Sequence, residues 1–384
     1  MDNKHIKNGI FILLVTVLML PLLRQYVFTF RIGKLDGYFS AATDPKFSWR
    51  GWWDGSYREK KNEYLNDNMG FRPELLRVNN QVDYSLFKKL HAPWLALGKD
   101  NYLFQTFHTD EYYGNDYVGY DTIRVKLLKL KAVQDTLAKL GTSLVVVHAP
   151  CKSFFYPEYI GDGFRQEKKT TNIETYLRLG DSLGINQIDM NGWFVTMKNK
   201  SKDLLFTKQG IHWSIYGSVL AADSLVKYVE QVRHIHMPHP VWNVVEHTTT
   251  PRPPDDDLAK TMNLMFPLTT EVFSYPIVSY PVDATMKKPQ IIYIGDSFLE
   301  TWYSDGLMEH TNNNWQVWDH FRRIQDKNHP TLQLDYTIKD IDWADTMKKA
   351  DCIVIVNTTI SLPVLGHGFI ERAYDHFYPG KAIF

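Results

Sequence analysis

The sequence predicts an α/β fold built on a parallel β-sheet with helices packed on its faces. Three short apolar runs, at residues 144–147, 291–294 and 353–356, have the length and composition of buried parallel strands. Segments with helical spacing separate these runs, as the crossover connections of parallel strands require. The second run ends in a Gly-Asp-Ser tripeptide that places Ser297 at the carboxyl end of a strand. In α/β proteins this edge of the sheet is where ligands bind.

The other elements follow from local patterns taken in chain order. A turn at residues 98–104 leads into a further strand, and another short strand covers residues 186–188. The predicted helices cover residues 57–90 with a break at 68–73, residues 122–140, 172–183 and 191–199, a segment that begins at Ser214, and residues 340–350 and 363–376. Alternation of strands and helices over this length is typical of βαβ units in one sheet.

The segment from residue 234 to 288 breaks this alternation. Prolines recur there, and short β-like pieces replace the helical spacing. We therefore expect a Pro-rich β excursion inserted into a single α/β domain that extends from residue 57 to 384. This excursion contains the run Asp255-Asp256-Asp257, which lacks the ligand spacing of a calcium loop and is interpreted as a solvated turn.

The amino-terminal segment predicts a retained signal-anchor over residues 1–30, followed by a juxtamembrane segment over residues 31–56. Basic residues precede an uncharged apolar stretch at residues 9–23. A membrane-spanning helix needs roughly 20 apolar residues, and four residues beyond a lone Arg24 extend the stretch, namely Tyr26, Val27, Phe28 and Phe30. No small-x-small cleavage site follows. The basic residues place the amino terminus in the cytoplasm and the rest of the chain outside it, in the periplasm or extracytoplasmic space.

Composition excludes some classes of function. The chain of 384 residues has 43 basic and 43 acidic residues, so no net field attracts nucleic acid. Its two cysteines are predicted to lie at opposite ends of neighbouring strands, because Cys151 follows one apolar run and Cys352 precedes another. The distance between them would be roughly 15 to 20 Å, which is too long for a disulfide.

Two segments contain the residue types of nucleophilic catalysis. Ser297 lies on a predicted strand-to-helix turn, where a hydroxyl is exposed and backbone N–H groups can stabilise an oxyanion. Gly-Asp-Ser alone is also an ordinary turn and helix cap. His212 lies in a loop just before the helix that begins at Ser214, and a neutral imidazole is the usual base for a serine. The two segments together favour a serine nucleophile with a histidine base.

The chain resembles the SGNH-hydrolase-like proteins of polysaccharide O-acetylation, the family of the alginate acetylation proteins AlgX and AlgJ and of DHHW-type proteins. The resemblance covers most of the chain outside the anchor. It rests on Asn68-Met69-Gly70-Phe71-Arg72, the 98–104 segment, Pro150-Cys151-Lys152, Tyr156-Pro157-Glu158, His212-Trp213 and Gly295-Asp296-Ser297, in the order typical of the family.

The resemblance implies a three-layer SGNH-like domain that transfers acetyl groups to hydroxyls of an exopolysaccharide or cell-surface glycan. Ser297 would form an acetyl-enzyme and His212 would act as the base. A membrane acyltransferase of the MBOAT class would supply acetyl groups at the inner membrane. No cofactor or metal is expected.

One departure from the family concerns the acid that orients the histidine. In the alginate proteins an aspartate stands two positions before the histidine, and here that position is Gly210. Either another acid replaces it, with Asp203 and Asp189 as candidates, or a Ser-His dyad operates, or the protein is inactive. Asn357 follows the last strand and is a candidate oxyanion donor, as asparagine is in many SGNH enzymes.

Two further functions remain open at this point. A carbohydrate acetylesterase would use the same residues, with water in place of the sugar acceptor. A non-catalytic glycan-binding or assembly protein would explain the loss of the orienting aspartate at Gly210.

Overall fold

The computed structural model of this chain describes residues 3–26, 33–37, 42–268, 271–381 and 383. It divides into two compact units. The first comprises Met1–Pro93 and Ala259–Leu268, and the second comprises Trp94–Leu258 and Thr269–Phe384. The predicted domain boundary at residue 57 therefore lies inside the first unit. Val27, Phe28 and Phe30 of the predicted anchor lie outside the described residues.

The helices are numbered in chain order. They are α1 (Asn3–Tyr26), α2 (Trp49–Asp54), α3 (Ser56–Asp67), α4 (Arg72–Phe87), α5 (Thr106–Tyr112), α6 (Tyr120–Lys139), α7 (Lys152–Phe155), α8 (Asn172–Leu183), α9 (Met190–Met197), α10 (Ile215–Arg233), α11 (Asp257–Thr261), α12 (Phe298–Ser304), α13 (Leu307–Thr311), α14 (Trp343–Lys349) and α15 (Phe369–Phe377). The helices α3, α6, α8, α9 and α10 begin within a few residues of their predicted positions, where the spacing of apolar residues is regular.

The strands are β1 (Leu95–Leu97), β2 (Leu103–Gln105), β3 (Ser143–His148), β4 (Gln187–Asp189), β5 (Val241–Thr248), β6 (Phe273–Ser279), β7 (Gln290–Gly295), β8 (Asn314–Asp319), β9 (Arg323–Asp326) and β10 (Cys352–Asn357). The pairs β1–β2 and β5–β6 form separate antiparallel ribbons. The pair β5–β6 belongs to the Pro-rich segment, which leaves the main sheet there.

In the first unit, α1 is long and apolar enough to cross a membrane over its part Lys4–Pro21. The helical segment that follows is interrupted as predicted, because α3 ends at Asp67 and α4 begins at Arg72. Phe71 between them has a left-handed backbone with φ of 63°. Arg24 at the end of α1 donates to Glu74 of α4 at 3.1 Å, so the single charge interrupting the apolar stretch is paired.

The second unit contains a six-stranded sheet with the order β4-β3-β10-β7-β8-β9. The first five strands are parallel to one another, whereas β9 pairs with β8 in the antiparallel direction. The expectation of a purely parallel sheet is therefore wrong at this edge. No strand is predicted at β8 or β9, because polar residues interrupt the apolar residues of β8 and β9 has only four residues.

Alternate residues of the central strands enter two different cores, which gives three layers. Val145, Tyr293 and Val354 pack with side chains of α9, α10 and α12 on one face. Leu144 and Ile292 pack with α6, α8 and α15 on the other. Since successive side chains of a strand point to opposite faces, continuous apolar runs are what a sheet covered on both sides requires. The predicted α/β layers are confirmed.

Both cysteines are buried and free. Cys352 is paired in register with Ser143 at the start of β3, whereas Cys151 follows the end of β3. The two thiols lie at opposite ends of these strands, as expected from their positions in the sequence.

Candidate active site

The candidate nucleophile lies in the turn between β7 and α12. A side chain at Gly295 would bring Cβ to 2.3 Å from the carbonyl oxygen of Val356, so only glycine permits β7 and β10 to approach this closely at the end of the sheet. Ser297 follows with helical backbone angles, and its side chain makes no capping bond to α12. The residue is exposed, so its hydroxyl is accessible to a substrate.

Asp296 fastens this turn to the segment that follows β10. One carboxylate oxygen accepts the N–H of Phe298 at 3.2 Å. The other accepts the N–H and the hydroxyl of Thr358 at 3.2 and 2.8 Å and the hydroxyl of Ser361 at 2.9 Å. Because a buried carboxylate with four donors is strongly held, the turn that carries Ser297 is tied both to α12 and to the segment after β10.

His212 reaches the serine from the loop before α10. Its Nε2 lies 2.9 Å from Oγ of Ser297. Ser214 caps α10 by accepting the N–H of Gly217 at 2.9 Å, which ends the loop immediately after the histidine. Trp213 between them is fully buried and donates its indole N–H to Thr301 of α12 at 2.7 Å. The loop is thereby fixed to the helix that begins next to the nucleophile.

The orienting acid is Asp257, at the start of α11. One of its carboxylate oxygens lies 2.5 Å from Nδ1 of His212, and the other accepts the N–H of Ile211 at 2.9 Å. This contact makes Nδ1 the donor and leaves Nε2 free to accept the proton of Ser297. The three side chains have the connectivity of a serine, histidine and aspartate triad.

The two acids that the sequence analysis suggested lie elsewhere. Asp203 accepts hydrogen bonds from His247 at 2.7 Å and Ser274 at 2.6 Å, both on the β5–β6 ribbon. Asp189 caps α9 by accepting the N–H of Gly192 at 2.7 Å. Both candidates were chosen for nearness in sequence, whereas the acid that contacts His212 lies 45 positions after it. The proposal of Asp203 as the orienting acid is therefore wrong.

The aspartate run was also misinterpreted. Asp255 and Asp256 are buried, and Asp257 is bound to His212, so these residues do not form a solvated turn. Three consecutive acids in the Pro-rich insertion were the available signal, since buried carboxylates require partners.

Gly210 explains why the acid comes from this second segment. A Cβ at Gly210 would lie 2.9 Å from Oγ1 of Thr207 and 3.0 Å from the carbonyl oxygen of Asp255. The same Thr207 hydroxyl donates to that carbonyl at 2.6 Å. The backbone that leads to Asp257 therefore occupies the space into which a side chain at position 210 would project.

Lys152 holds the loop that carries His212 through hydrogen bonds to its backbone. Its side chain is fully buried, and Nζ donates to the carbonyl oxygens of Lys208 at 2.8 Å and Gly210 at 2.7 Å. Burial lowers the pKa of Lys152 to about 7. The buried lysine therefore holds the backbone two residues before His212.

The predicted oxyanion donor, Asn357, has hydrogen-bond partners other than the serine. The carboxamide of Asn357 is fully buried, its oxygen accepts the N–H of Gly366 at 3.2 Å, and its nitrogen lies 3.4 Å from Nε2 of His367. Both ends of the carboxamide are thus engaged inside the protein, whereas Ser297 is exposed.

We expect the neutral form of Asp255 to stabilise the fold in a way that depends on pH. Burial raises its pKa to about 8, so the folded chain keeps a proton that the unfolded chain loses near pH 4. Stability contributed by this proton is complete below pH 4 and is lost as pH rises through 8. Relative to the variant Asp255→Asn, the wild type should lose roughly 3 kcal/mol between pH 5 and pH 8. Urea unfolding at both pH values measures this difference, and a pH-independent difference would contradict it.

Comparisons with known proteins agree with this fold. A family model described as "SGNH hydrolase-like domain, acetyltransferase AlgX" matches residues 95–312. The probable alginate O-acetylase AlgJ of Pseudomonas syringae pv. tomato is 27% identical over 150 residues, which are 39% of this chain and 37% of that protein. The protein of the same name from Pseudomonas aeruginosa is 26% identical over 157 residues, which are 41% of this chain and 38% of the relative.

Among solved structures, the O-acetyltransferase domain of Pseudomonas putida AlgJ has a TM-score of 0.50 and 15% identity, and the match covers 73% of this chain and 99% of that domain. This likeness concerns the fold. The chain matches less than two fifths of the length of the two curated relatives. The family model, in contrast, covers more than half of the chain and includes both His212 and Ser297. The chain therefore belongs to the family of SGNH hydrolase-like domains of the AlgX acetyltransferase type.

Proposed function

We propose that this protein is a membrane-anchored, extracytoplasmic O-acetyltransferase that acetylates hydroxyls of an exopolysaccharide or cell-surface glycan through an acetyl-serine intermediate. The observation that carries the proposal is the relay from Ser297 through His212 to Asp257, with contacts of 2.9 and 2.5 Å. Membership of an acetyltransferase family supports the nature of the transferred group.

In the first half of the reaction, Nε2 of His212 takes the hydroxyl proton of Ser297 while Oγ attacks the carbonyl carbon of the acetyl donor. The tetrahedral intermediate collapses when the bond to the donor oxygen breaks, and that oxygen takes the proton from Nε2. The acetyl group is then an ester of Ser297. Asp257 stabilises the imidazolium that forms in between, because its carboxylate accepts the N–H of Nδ1.

In the second half, a sugar hydroxyl replaces the donor oxygen. His212 takes the proton of this hydroxyl, the sugar oxygen attacks the acetyl-serine, and Oγ of Ser297 leaves and regains the proton from Nε2. With water as the acceptor, the same steps release acetate, which is the acetylesterase alternative. The two activities therefore differ only in the acceptor that reaches the exposed serine.

The non-catalytic alternative depended on the absence of an orienting acid at Gly210. Asp257 supplies a carboxylate at the correct ring nitrogen, which removes the premise of that alternative. The retained relay favours an enzyme over a protein that only binds glycan.

The location and the partners are part of the proposal. The apolar helix α1 supports a single anchor near the amino terminus, with the site outside the cytoplasm. The names of the AlgJ relatives support a polysaccharide acceptor. An acetyl-serine formed outside the cytoplasm requires a donor delivered across the inner membrane, and we propose an MBOAT-class acyltransferase in that role.

Trapping the intermediate tests the proposal directly. The full chain, purified in detergent and treated with an activated acetyl ester, should gain one acetyl group that peptide mapping assigns to Ser297. Addition of an oligosaccharide should discharge the acetyl-enzyme and yield acetylated sugar faster than acetate. An unmodified Ser297 and no acetylated sugar would refute an acetyl-serine transferase. Acetate as the sole product would instead establish the esterase.

A further inference from the structure

Three potential metal ligands converge inside the second unit, on residues that the proposed reaction does not use. His108 and Glu111 lie one turn apart on α5, and Cys151 immediately precedes α7. Nδ1 of His108 lies 2.9 Å from Oε1 of Glu111 and 3.4 Å from Sγ of Cys151, and Sγ lies 2.8 Å from the same Oε1. The ligand atoms of all three side chains therefore lie within 4.8 Å of one another.

The cluster is closed to solvent. The exposed fractions are 5% for His108, 2% for Glu111 and 2% for Cys151. A carboxylate at such a position has lost its hydration and needs compensation at both of its oxygens. Structural zinc sites have this closed character, in contrast to catalytic ones that keep an open position.

Hydrogen bonds alone leave the carboxylate of Glu111 unevenly satisfied. His108, Cys151 and the hydroxyl of Thr359 all approach the single oxygen Oε1. Oε2 is buried and has no hydrogen-bond partner among the described residues. A buried acceptor without a donor is destabilising. A cation bound between the three side chains would engage both carboxylate oxygens.

We propose that His108, Glu111 and Cys151 bind a structural zinc ion, with Glu111 as a bidentate ligand. A thiolate and a carboxylate together balance the two positive charges of zinc, so the buried site is neutral overall. The combination of sulfur and imidazole nitrogen favours zinc over magnesium or calcium.

The distances are compatible with this assignment after a small adjustment. Zinc ligand atoms that belong to different residues lie about 3.3 to 3.6 Å apart, as follows from zinc bonds of about 2.0 to 2.3 Å at near-tetrahedral angles. The separation of 3.4 Å between His108 and Cys151 already fits, and the two contacts to Glu111 at 2.9 and 2.8 Å need to lengthen by roughly 0.4 to 0.8 Å. Rotation of the carboxylate that turns Oε2 toward the other ligands provides this change.

A second cluster on the surface must be excluded from the measurement. Glu230, His236 and His239 also bring three ligand atoms together, but they are only partly buried and His236 is exposed. Exposed histidines bind zinc adventitiously. The experiments therefore use the full chain with His236→Ala and His239→Ala as the reference protein.

We expect the reference protein, purified in detergent and dialysed against buffer with zinc and then without it, to retain about one zinc ion per chain by elemental analysis. Glu111→Gln and Cys151→Ser should lower this content at least tenfold. A reference protein without zinc, or a Cys151→Ser variant with unchanged zinc, would overturn the proposal.

Cobalt gives a test that does not depend on folding of the ligand variants. The chain has only two cysteines, so a thiolate-to-cobalt charge-transfer band in the near ultraviolet identifies its ligand by elimination. Cobalt added during refolding of the reference protein should produce this band, and the variant Cys352→Ala should retain it at full intensity. Absence of the band from both proteins, or its loss on removal of Cys352, would refute ligation by Cys151.

Discussion

Ser297→Ala and His212→Ala are each expected to lower kcat for acetyl transfer by about 10⁶-fold, and the double variant is expected to be no worse than either single variant. The reason is that the two side chains act in one step. Without Oγ of Ser297 there is no atom to acetylate, and without Nε2 of His212, 2.9 Å away, the hydroxyl is a poor nucleophile at neutral pH. Loss of either group removes the whole covalent route.

The measurement is single-turnover transfer from an activated acetyl ester to an oligosaccharide acceptor. Ser304→Ala on the same α12 helix and His247→Ala on the β5–β6 ribbon provide matched controls, because both residues are exposed and neither contacts the relay. Both controls should remain within about threefold of the wild type. A double variant far below the single ones would show that the two residues act independently, which contradicts a shared covalent route.

The parts of the fold predicted from sequence are those in which one physical signal is sufficient. The runs that form β3, β7 and β10 are apolar on both faces, because helices cover the sheet on both sides. The strand β8 escaped prediction, since polar residues interrupt its tryptophans and valine and leave no continuous apolar run like those of the central strands. The strand β9 is short and antiparallel, and only its register with β8 identifies it.

The candidate site likewise contains residues that the sequence predicts and one that it does not. Ser297 and His212 were predicted because each lies next to an element boundary that the sequence marks, a strand end and a helix cap. Asp257 has no such mark. Asp257 lies 45 positions after His212 in the sequence, and the Pro-rich segment between them brings the two side chains into contact. The sequence does not reveal the path of that segment. Asp203 was preferred on sequence proximity, and proximity along a chain does not determine which carboxylate faces a ring nitrogen.

Asp257→Asn is expected to lower kcat by about 10⁴-fold with little change in stability. An asparagine fills the same volume, but its amide can donate to Nδ1 of His212. The ring proton then moves to Nε2, which can no longer accept the proton of Ser297. The carboxylate also no longer stabilises the imidazolium.

The acid proposed from sequence gives the matched control, because Asp203→Asn removes a carboxylate bonded only to His247 and Ser274 in the hydrogen bonds described. That variant should retain activity within about tenfold of the wild type. Full activity of Asp257→Asn would instead indicate a Ser-His dyad.

Gly210→Asp in the Asp257→Asn background tests whether the position of the acid is fixed by the neighbouring backbone. This change places an aspartate two positions before His212, at the position where the family resemblance predicts the orienting acid. We expect no recovery of activity, because the new Cβ would lie 3.0 Å from the carbonyl oxygen of Asp255 and 2.9 Å from Oγ1 of Thr207. Accommodating it requires a shift of the backbone that Lys152 holds through the carbonyl oxygen of Gly210. Recovery to within about tenfold of the wild type would show that this backbone can shift to accommodate the new side chain. It would also show that either position 210 or position 257 can supply the acid. Without recovery, glycine at position 210 and aspartate at position 257 function as one unit, in which the first leaves space for the loop that carries the second.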